Sequence, residues 1–268
     1  DEESVLVITA GGYVKRTNPS EYKVQKRGGV GVVDIATKEE DVVTHFLSAS
    51  AHAELLFFTD YGKAYQTKMY EIPEGKRATK GKSIMNFLSL SDGEQVTSIL
   101  PMPKNKKEAE GLSLMMITKG GTGKKSSAKH FKDVRRSGLI AITLDSGDQL
   151  ISASFVSKND DIVMATKDGQ SIHFKESDVR EMGRNAAGVR VIKLGKGDEV
   201  ISADIVSKDA KKPHLFVMGA NVWRDEHEWP LGRTQWTAWH LHGEGMLAAE
   251  QPDERAPDTF TFDPCDPA

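Results

Sequence analysis

Cations recur at fixed places in this sequence, and a regular row of cations is suited to neutralising a regular row of anions. Threonines at 9, 59, 118 and 166 each precede a glycine by three residues, and eighteen residues after each stands an arginine: Arg27, Arg77, Arg136 and Arg184. Glycine follows three of these arginines four residues later, at Gly31, Gly81 and Gly188; the third copy is shorter there and has Gly138. More basic residues gather at the same two places. Lys15 and Arg16, Lys63 and Lys68, Lys124 and Lys125, and Lys175 follow the threonine-glycine turn. Gln25, Lys26 and Arg27, Arg77 with Lys80 and Lys82, Arg135 and Arg136, and Arg184 and Arg190 fall in or beside the glycine-rich stretch. Glycine beside arginine, as in Arg27-Gly28-Gly29-Val30-Gly31, lets a phosphate approach the backbone and offers it free N–H groups. A single lysine on such an edge is ordinarily a solvated surface residue. Recurrence in every copy makes phosphate the expected partner.

Other chemistries fail on spacing. Gly75 to Ser83 resembles a phosphate-binding loop but has five residues between its glycines where that motif needs four, and Gly120 to Ser126 lacks the first glycine. No dinucleotide fingerprint alternates with helices. The recurrent threonine has no repeated base near it, so its expected role is to close a turn by hydrogen bonding. His240 and His242, with Asp225 or Cys265, make a weak metal set, and no G-x-S-x-G elbow exists for acyl transfer. The expectation is therefore no cofactor, no metal, no small-molecule substrate and no catalytic residue.

The elements that must carry these cations are short strands. Each copy opens with an apolar run such as Leu55-Leu56-Phe57-Phe58, turns at glycine and continues as an alternating run such as Lys63-Ala64-Tyr65-Gln66-Thr67, the pattern of a hairpin. A third strand (Gly188 to Ile192 in the last copy), an acidic turn (Asp41, Glu94, Asp148, Asp198) and a fourth strand (Val200 to Ile205) complete the unit. Four strands in about 50 residues make a propeller-type blade, which cannot bury its apolar face alone. The expected fold is all-β: about four four-stranded blades over residues 3–52, 53–111, 112–160 and 161–210, with a charged loop at 101–108.

The 268 residues are 38% hydrophobic and 28% charged with a formal charge of -3 and one cysteine, which excludes collagen-like and disulfide-scaffold classes. No apolar run suits a membrane helix and the acidic start Asp1-Glu2-Glu3 is unlike a leader, so no membrane partner is expected; the lone Cys265 cannot form an internal disulfide, so a reducing cytoplasm is expected. A break lies near Lys212. Residues 1–212 contain 33 Lys+Arg and 29 Asp+Glu, a net +4, whereas the remaining 56 contain 3 Arg, no Lys and 10 acids, a net -7. All four tryptophans lie after the break. Two segments of different origin, 1–212 and 213–268, follow from that change. With only +4 available, any polyanion footprint must be a stripe.

These residues also suggest a family. Gln25-Lys26-Arg27-Gly28-Gly29-Val30-Gly31 resembles the glycine-basic box of the DNA gyrase A C-terminal domain. The likeness runs from about Val5 to Asp209 through Gly11 to Lys15, Tyr70-Glu71-Ile72-Pro73 and Phe174 to Asn185. It implies a β-pinwheel, incomplete here because only four of six blades are present, that wraps double-stranded DNA and supports negative supercoiling. It also implies the rest of gyrase A and gyrase B as partners, in a bacterial nucleoid-associated setting. Val30 departs from the family's usual basic residue. Residues 213–268, through Phe216 to Leu231, Trp239 to His242 and Pro257 to Pro264, resemble a C-terminal jelly-roll stretch of cocaine-esterase and X-prolyl-dipeptidyl-peptidase-like acyl hydrolases. That stretch lies outside the family's catalytic triad, so a β-rich or irregular tail is expected. The leading expectation is a non-catalytic DNA-wrapping domain; the alternatives are an inactive chimera, a protein-interaction scaffold, and an acyl-hydrolase fragment.

Overall fold

The computed structural model describes residues 2–22, 24–25, 31, 33–36, 41–104 and 111–207, and beyond them the backbone of four short strands. The chain divides into two compact units, Asp1–Asp209 and Ala210–Ala268. In the first unit, repeat one supplies β1 (Glu3–Thr9), β2 (Tyr13–Thr17) and β3 (Val43–Ser50), and repeat two supplies β4 (Glu54–Thr59), β5 (Lys63–Lys68), β6 (Lys82–Ser83) and β7 (Val96–Pro101). Repeat three supplies β8 (Ser113–Thr118), β9 (Thr122–Ser127), β10 (Leu139–Ile140) and β11 (Leu150–Val156). Repeat four supplies β12 (Asp161–Thr166), β13 (Ser171–Lys175), β14 (Val189–Arg190) and β15 (Val200–Val206).

The opening strands β1, β4 and β8 are continuous apolar runs because they are buried on both faces, whereas β12 alternates and leaves Val163 exposed. Alternation along β4 divides its side chains between two neighbours. Leu55 and Phe57 join Leu6, Ile8 and Val14 of repeat one in one core, while Leu56 and Phe58 join Leu114, Met116 and Phe131 of repeat three in the next. Along β8 the same alternation turns Met115 and Ile117 towards Ile162 and Met164 of repeat four. Each core therefore lies between two sheets. On the outer face of the first sheet, Val5 and Val7 are covered by Ile35 and Tyr22.

The hairpins of repeats one, three and four close as the recurrent threonine requires. Its hydroxyl oxygen accepts from the amide four residues on: Tyr13 to Thr9 at 3.2 Å, Thr122 to Thr118 at 3.1 Å and Gln170 to Thr166 at 3.2 Å. The acidic turn then ties the repeat's last strand to its hairpin. Asp41 accepts from the Gly11 amide and Asp148 from the Gly120 amide, both at 2.7 Å; Asp198 accepts from the Asp168 amide at 3.0 Å. In repeat two the Thr59 hydroxyl donates to Glu94 Oε1 at 2.6 Å.

The blades differ from the expected ones in a single respect. A blade is not one repeat, because the short third strand of repeats two, three and four joins the sheet of the repeat before it. β6 pairs with β2 (Tyr13↔Ser83, Val14↔Lys82), β10 with β5 and β14 with β9. The sheets run β3-β1-β2-β6, β10-β5-β4-β7, β11-β8-β9-β14 and β13-β12-β15. The reason lies in the edges. A repeat's last strand pairs with its first, which leaves the second strand's outer edge unfilled, and the next repeat's loop is long enough to reach it. Three sheets thus have four strands and the fourth has three among the described residues. Each transferred strand starts at a left-handed glycine: Gly81 has φ +80°, and a Cβ there would lie 2.7 Å from the Val14 carbonyl oxygen.

In the second unit, β16 (His214–Val217) pairs antiparallel with β17 (Val222–Asp225), and β18 (His240–Leu241) with β19 (Leu247–Ala248). The positions weighed as metal ligands, His242 and Cys265, lie outside the described residues.

Two glycine variants separate backbone strain from strand transfer. Gly147 has nearly the same φ (+81°) but open space around its missing Cβ. Gly147→Ala is expected to cost about 1–2 kcal/mol, the ordinary left-handed penalty. Gly81→Ala is expected to cost at least about 1 kcal/mol more, because β6 must also back away from β2. Urea unfolding of the two variants measures both.

Candidate nucleic-acid interface

Strand transfer brings the loops of repeats two, three and four across the seam onto the preceding repeat's hairpin. At the first seam the Arg16 amide donates to the Pro73 carbonyl (3.1 Å) and the Gly75 amide to the Arg16 carbonyl (2.9 Å). At the third seam the Met182 amide donates to the Lys125 carbonyl (2.8 Å). Hydroxyls repeat the pattern one residue further along the hairpin strand: Thr17 donates to the Gly75 carbonyl at 3.2 Å and Ser126 to the Met182 carbonyl at 2.9 Å. The loop's arginine follows two residues later, as Arg77 in one case and Arg184 in the other.

This docking leaves a set of basic side chains in solvent. Lys68, Lys80, Lys82, Arg135, Arg136, Lys175, Arg184 and Arg190 are exposed. Several are already oriented. Lys80 Nζ lies 4.0 Å from the Tyr13 ring centroid, Arg136 is 3.4 Å from Glu71 while 69% exposed, and half-buried Arg77 donates to the Glu21 carbonyl at 2.8 Å. The Gln25 side chain brackets Gly31, accepting from its amide at 3.1 Å and donating to its carbonyl at 3.2 Å. Lys26, Arg27, Gly28 and Gly29 lie outside the described residues.

Other expected contacts turn inward. Lys15 and Lys124 are fully buried. Lys15 Nζ donates to the carbonyls of Asp34 (2.5 Å) and Lys76 (3.0 Å), and Lys124 Nζ to those of Ala141 (2.6 Å) and Arg184. Register is the reason. Opposite Val7 and Met116, these lysines share a face with core residues, the position that Tyr65 takes opposite Phe57 and Ile172 opposite Met164. Their ammonium groups are thus no part of a phosphate-facing surface. Arg16 is mostly covered, with Nε on the Ile72 carbonyl (2.9 Å) and a terminal nitrogen 3.2 Å from Glu74. Lys125 is bound to Glu176 at 2.5 Å, and Lys63 lies 3.0 Å from Ser91 Oγ and 3.5 Å from Glu94.

Exposed cations outside the recurrent positions include Lys76, Lys129, Lys132 and Arg180. Lys129 and Lys132 sit in and beside the short 3-10 turn that follows β9. Alignment of repeats three and four puts Lys132 level with Arg180 and would have located that pair; Lys129 falls level with Ser177 and Tyr70, which carry no such signal. Among the described residues, no three His, Cys, Asp or Glu side chains gather as a metal site.

Electrostatics separate the ties from the array. The Thr9 hydroxyl and the Gly11 amide hold Asp41 below its ordinary value. Burial pushes Glu94 up, but the Thr59 hydroxyl, the Ser91 amide and the Tyr65 hydroxyl outweigh it and leave the carboxyl low. Burial, with the charge of Arg184 adding to it, depresses Lys124 to about 8.

Four stretches of the chain, residues 3–50, 53–101, 113–157 and 160–207, match the model of the DNA gyrase C-terminal domain, beta-propeller. The chain belongs to that family. The DNA gyrase A subunit of Clostridium acetobutylicum is 41% identical over 190 residues, covering 71% of this chain and 22% of that protein. Its counterpart in Streptococcus pyogenes serotype M1 is 42% identical over 187 residues, covering 69% of this chain and 22% of that protein. The chain thus spans about a fifth of these relatives' length. Among solved structures, the C-terminal domain of DNA topoisomerase IV superposes with TM-score 0.64 at 26% identity, over 78% of this chain and 63% of that one. The DNA gyrase A C-terminal domain gives TM-score 0.60 at 28% identity, over 75% and 64%. The family expected from Gln25 to Gly31 and Phe174 to Asn185 is thereby established, as is its all-β propeller fold.

Lys124 makes stability depend on pH in a stated direction. Below about 8 both folded and unfolded states carry the proton, and the burial cost is fully present. Between about 8 and the ordinary value of 10.5 the folded lysine releases its proton while the unfolded one keeps it, so stability rises with pH. The urea midpoint of the wild type is expected to gain on that of Lys124→Met between pH 7.5 and 10. A constant difference between the two would refute the assignment.

Proposed function

We propose that residues 3–207 are a DNA-wrapping domain of a gyrase A-type topoisomerase protein. The domain binds duplex by its phosphates and helps the parent enzyme introduce negative supercoils. The observation that carries this reading is the recurrence of exposed cations on the loops at the seams: Lys76, Lys80 and Lys82 at the first, Arg135 and Arg136 at the second, Arg184 and Arg190 at the third. Lys68, Lys129, Lys132 and Lys175 extend the row. A protein that bends duplex without reading bases needs many spaced phosphate contacts, because the bend must be held along its length.

In this reading the domain performs no chemistry of its own. Its partners are double-stranded DNA, the remainder of gyrase A, and gyrase B, in the bacterial cytoplasm at the nucleoid. No helix among the described residues is long and apolar enough to cross a membrane. Residues 213–268 are a separate, acidic segment whose net charge of -7 opposes DNA.

Binding to short and to roughly 150-bp duplexes across a salt titration tests the proposal, the longer one being near one persistence length. Tighter binding to the longer duplex, with steep loss in salt, is expected. Replacing Arg135 and Arg136 by alanine should reduce the slope of log K against log salt by about 2, close to 0.9 per lost phosphate contact. Weak, salt-insensitive binding, or equal affinity for both lengths, would refute wrapping.

A further inference from the structure

Lys15 and Lys124 are buried charges that DNA contact leaves without a role. Each is 0% exposed, and each bridges two carbonyls far apart in sequence. Lys124 joins Ala141, which lies just after β10, to Arg184 in the loop of repeat four. Lys15 joins Asp34 to Lys76, the neighbour of Arg77 in the loop of repeat two. The two bridges correspond in part: Lys15 also lies 3.4 Å from the Asp34 carboxylate, and its loop carbonyl comes one residue before the arginine where that of Lys124 belongs to the arginine itself. Asp34 and Ala141 each stand three residues after a left-handed glycine, Gly31 (φ +79°) and Gly138 (φ +77°). The neighbouring hydroxyls, Thr17 and Ser126, bind the carbonyl two residues before each loop arginine.

We propose that Lys15 and Lys124 are positioning residues, internal clamps that fix the basic loop of the following repeat so that its cations meet the DNA backbone in a set geometry. The proposal rests on the DNA-wrapping reading above. An ammonium on a flexible four-carbon stem has donors enough for both carbonyls, and charge assistance strengthens each bond. Holding the carbonyl of Arg184 fixes the residue whose guanidinium projects into solvent. Cations on a swinging loop neutralise phosphates just as well, but they cannot hold curvature against the stiffness of duplex DNA. The clamp therefore acts on bending and hardly at all on affinity for a short duplex.

The middle seam supplies an internal contrast. Tyr65 stands at the clamp position, and its hydroxyl donates to Glu94 at 3.0 Å, within its own repeat. The loop there is held nearer the surface, by the Val134 amide on Gln66 Oε1 (2.7 Å) and by Arg136 on Glu71 (3.4 Å). Its amides are expected to exchange faster than those of residues 183–190.

The test uses the full chain as wild type, Lys124→Met, Lys124→Gln and Arg184→Ala. Three readouts are followed: amide exchange over 183–190, affinity for a duplex of roughly 20 bp, and end-to-end energy transfer on a roughly 150-bp duplex, near one persistence length. Lys124→Met is expected to speed exchange over 183–190 by about tenfold or more while β8 and β12 stay protected. Short-duplex affinity should stay within about twofold, and compaction of the long duplex should be lost, with partial recovery in Lys124→Gln, which retains a donor. Arg184→Ala should weaken binding with exchange unchanged. If Lys124→Met does not fold, Lys124→Gln carries the same comparison. Unchanged exchange and unchanged compaction in the folded variant would overturn the clamp. Should the wild type bind no duplex at all, the DNA reading fails, and with it the link from clamp to bending; the exchange result still decides whether Lys124 holds the loop.

Discussion

A strand that is apolar on both faces cannot be hidden by its own sheet, and this constraint organises the whole first unit. Leu55 and Phe57 need a neighbour on one side, and Leu56 and Phe58 need one on the other. Sheets must therefore stack, each core belonging to two repeats at once. The ends of the series show the same constraint relaxed or met by other means. Val5 and Val7 on the first sheet are covered by Ile35 and Tyr22. On the outer face of the last sheet the demand is reduced, since Val163 is flanked across its two ladders by His173 and Asp204.

Stacking alone would leave the sheets free to slide. Transfer of β6, β10 and β14 to the preceding sheet prevents this, because a seam cannot open without breaking backbone ladders as well as a core. The same transfer creates the candidate site. A loop that must deliver a two-residue strand to a neighbour's edge crosses the seam on the way, and its basic residues arrive there with it. Arg77, Arg136 and Arg184 thus hold the same place in successive loops because of how the blades interlock, and in the DNA-wrapping reading proposed above a polyanion would meet one basic loop per seam.

Burial also explains why adjacent basic residues are withdrawn from the surface. Lys124 and Lys125 are neighbours on β9, and both reach repeat four, Lys124 through the Arg184 carbonyl and Lys125 through Glu176. A buried ammonium is tolerable only where carbonyls replace its water, and the loop supplies them. The arginine loop and the lysine beneath it are therefore one mechanical unit: the loop solvates the charge, and the charge holds the loop.

Much of this was legible in the chain itself. The repeat of threonine, glycine, arginine and acid determined the number of units, the hairpin at each opening, the turn-closing role of Thr9, Thr118 and Thr166, and the all-β class, because these depend on local geometry and period. The family was equally legible, in Gln25 to Gly31 and Phe174 to Asn185. Two things were decided only by tertiary structure. Which sheet owns β6, β10 and β14 depends on the edges available in space, and a two-residue strand carries no pattern to name its partner. Which lysines face solvent depends on what packs over β2 and β9, so Lys15 and Lys124 looked like rim cations until the neighbouring loop covered them. Sequence records the type of a side chain and its phase along a strand; burial is a property of everything that folds against it.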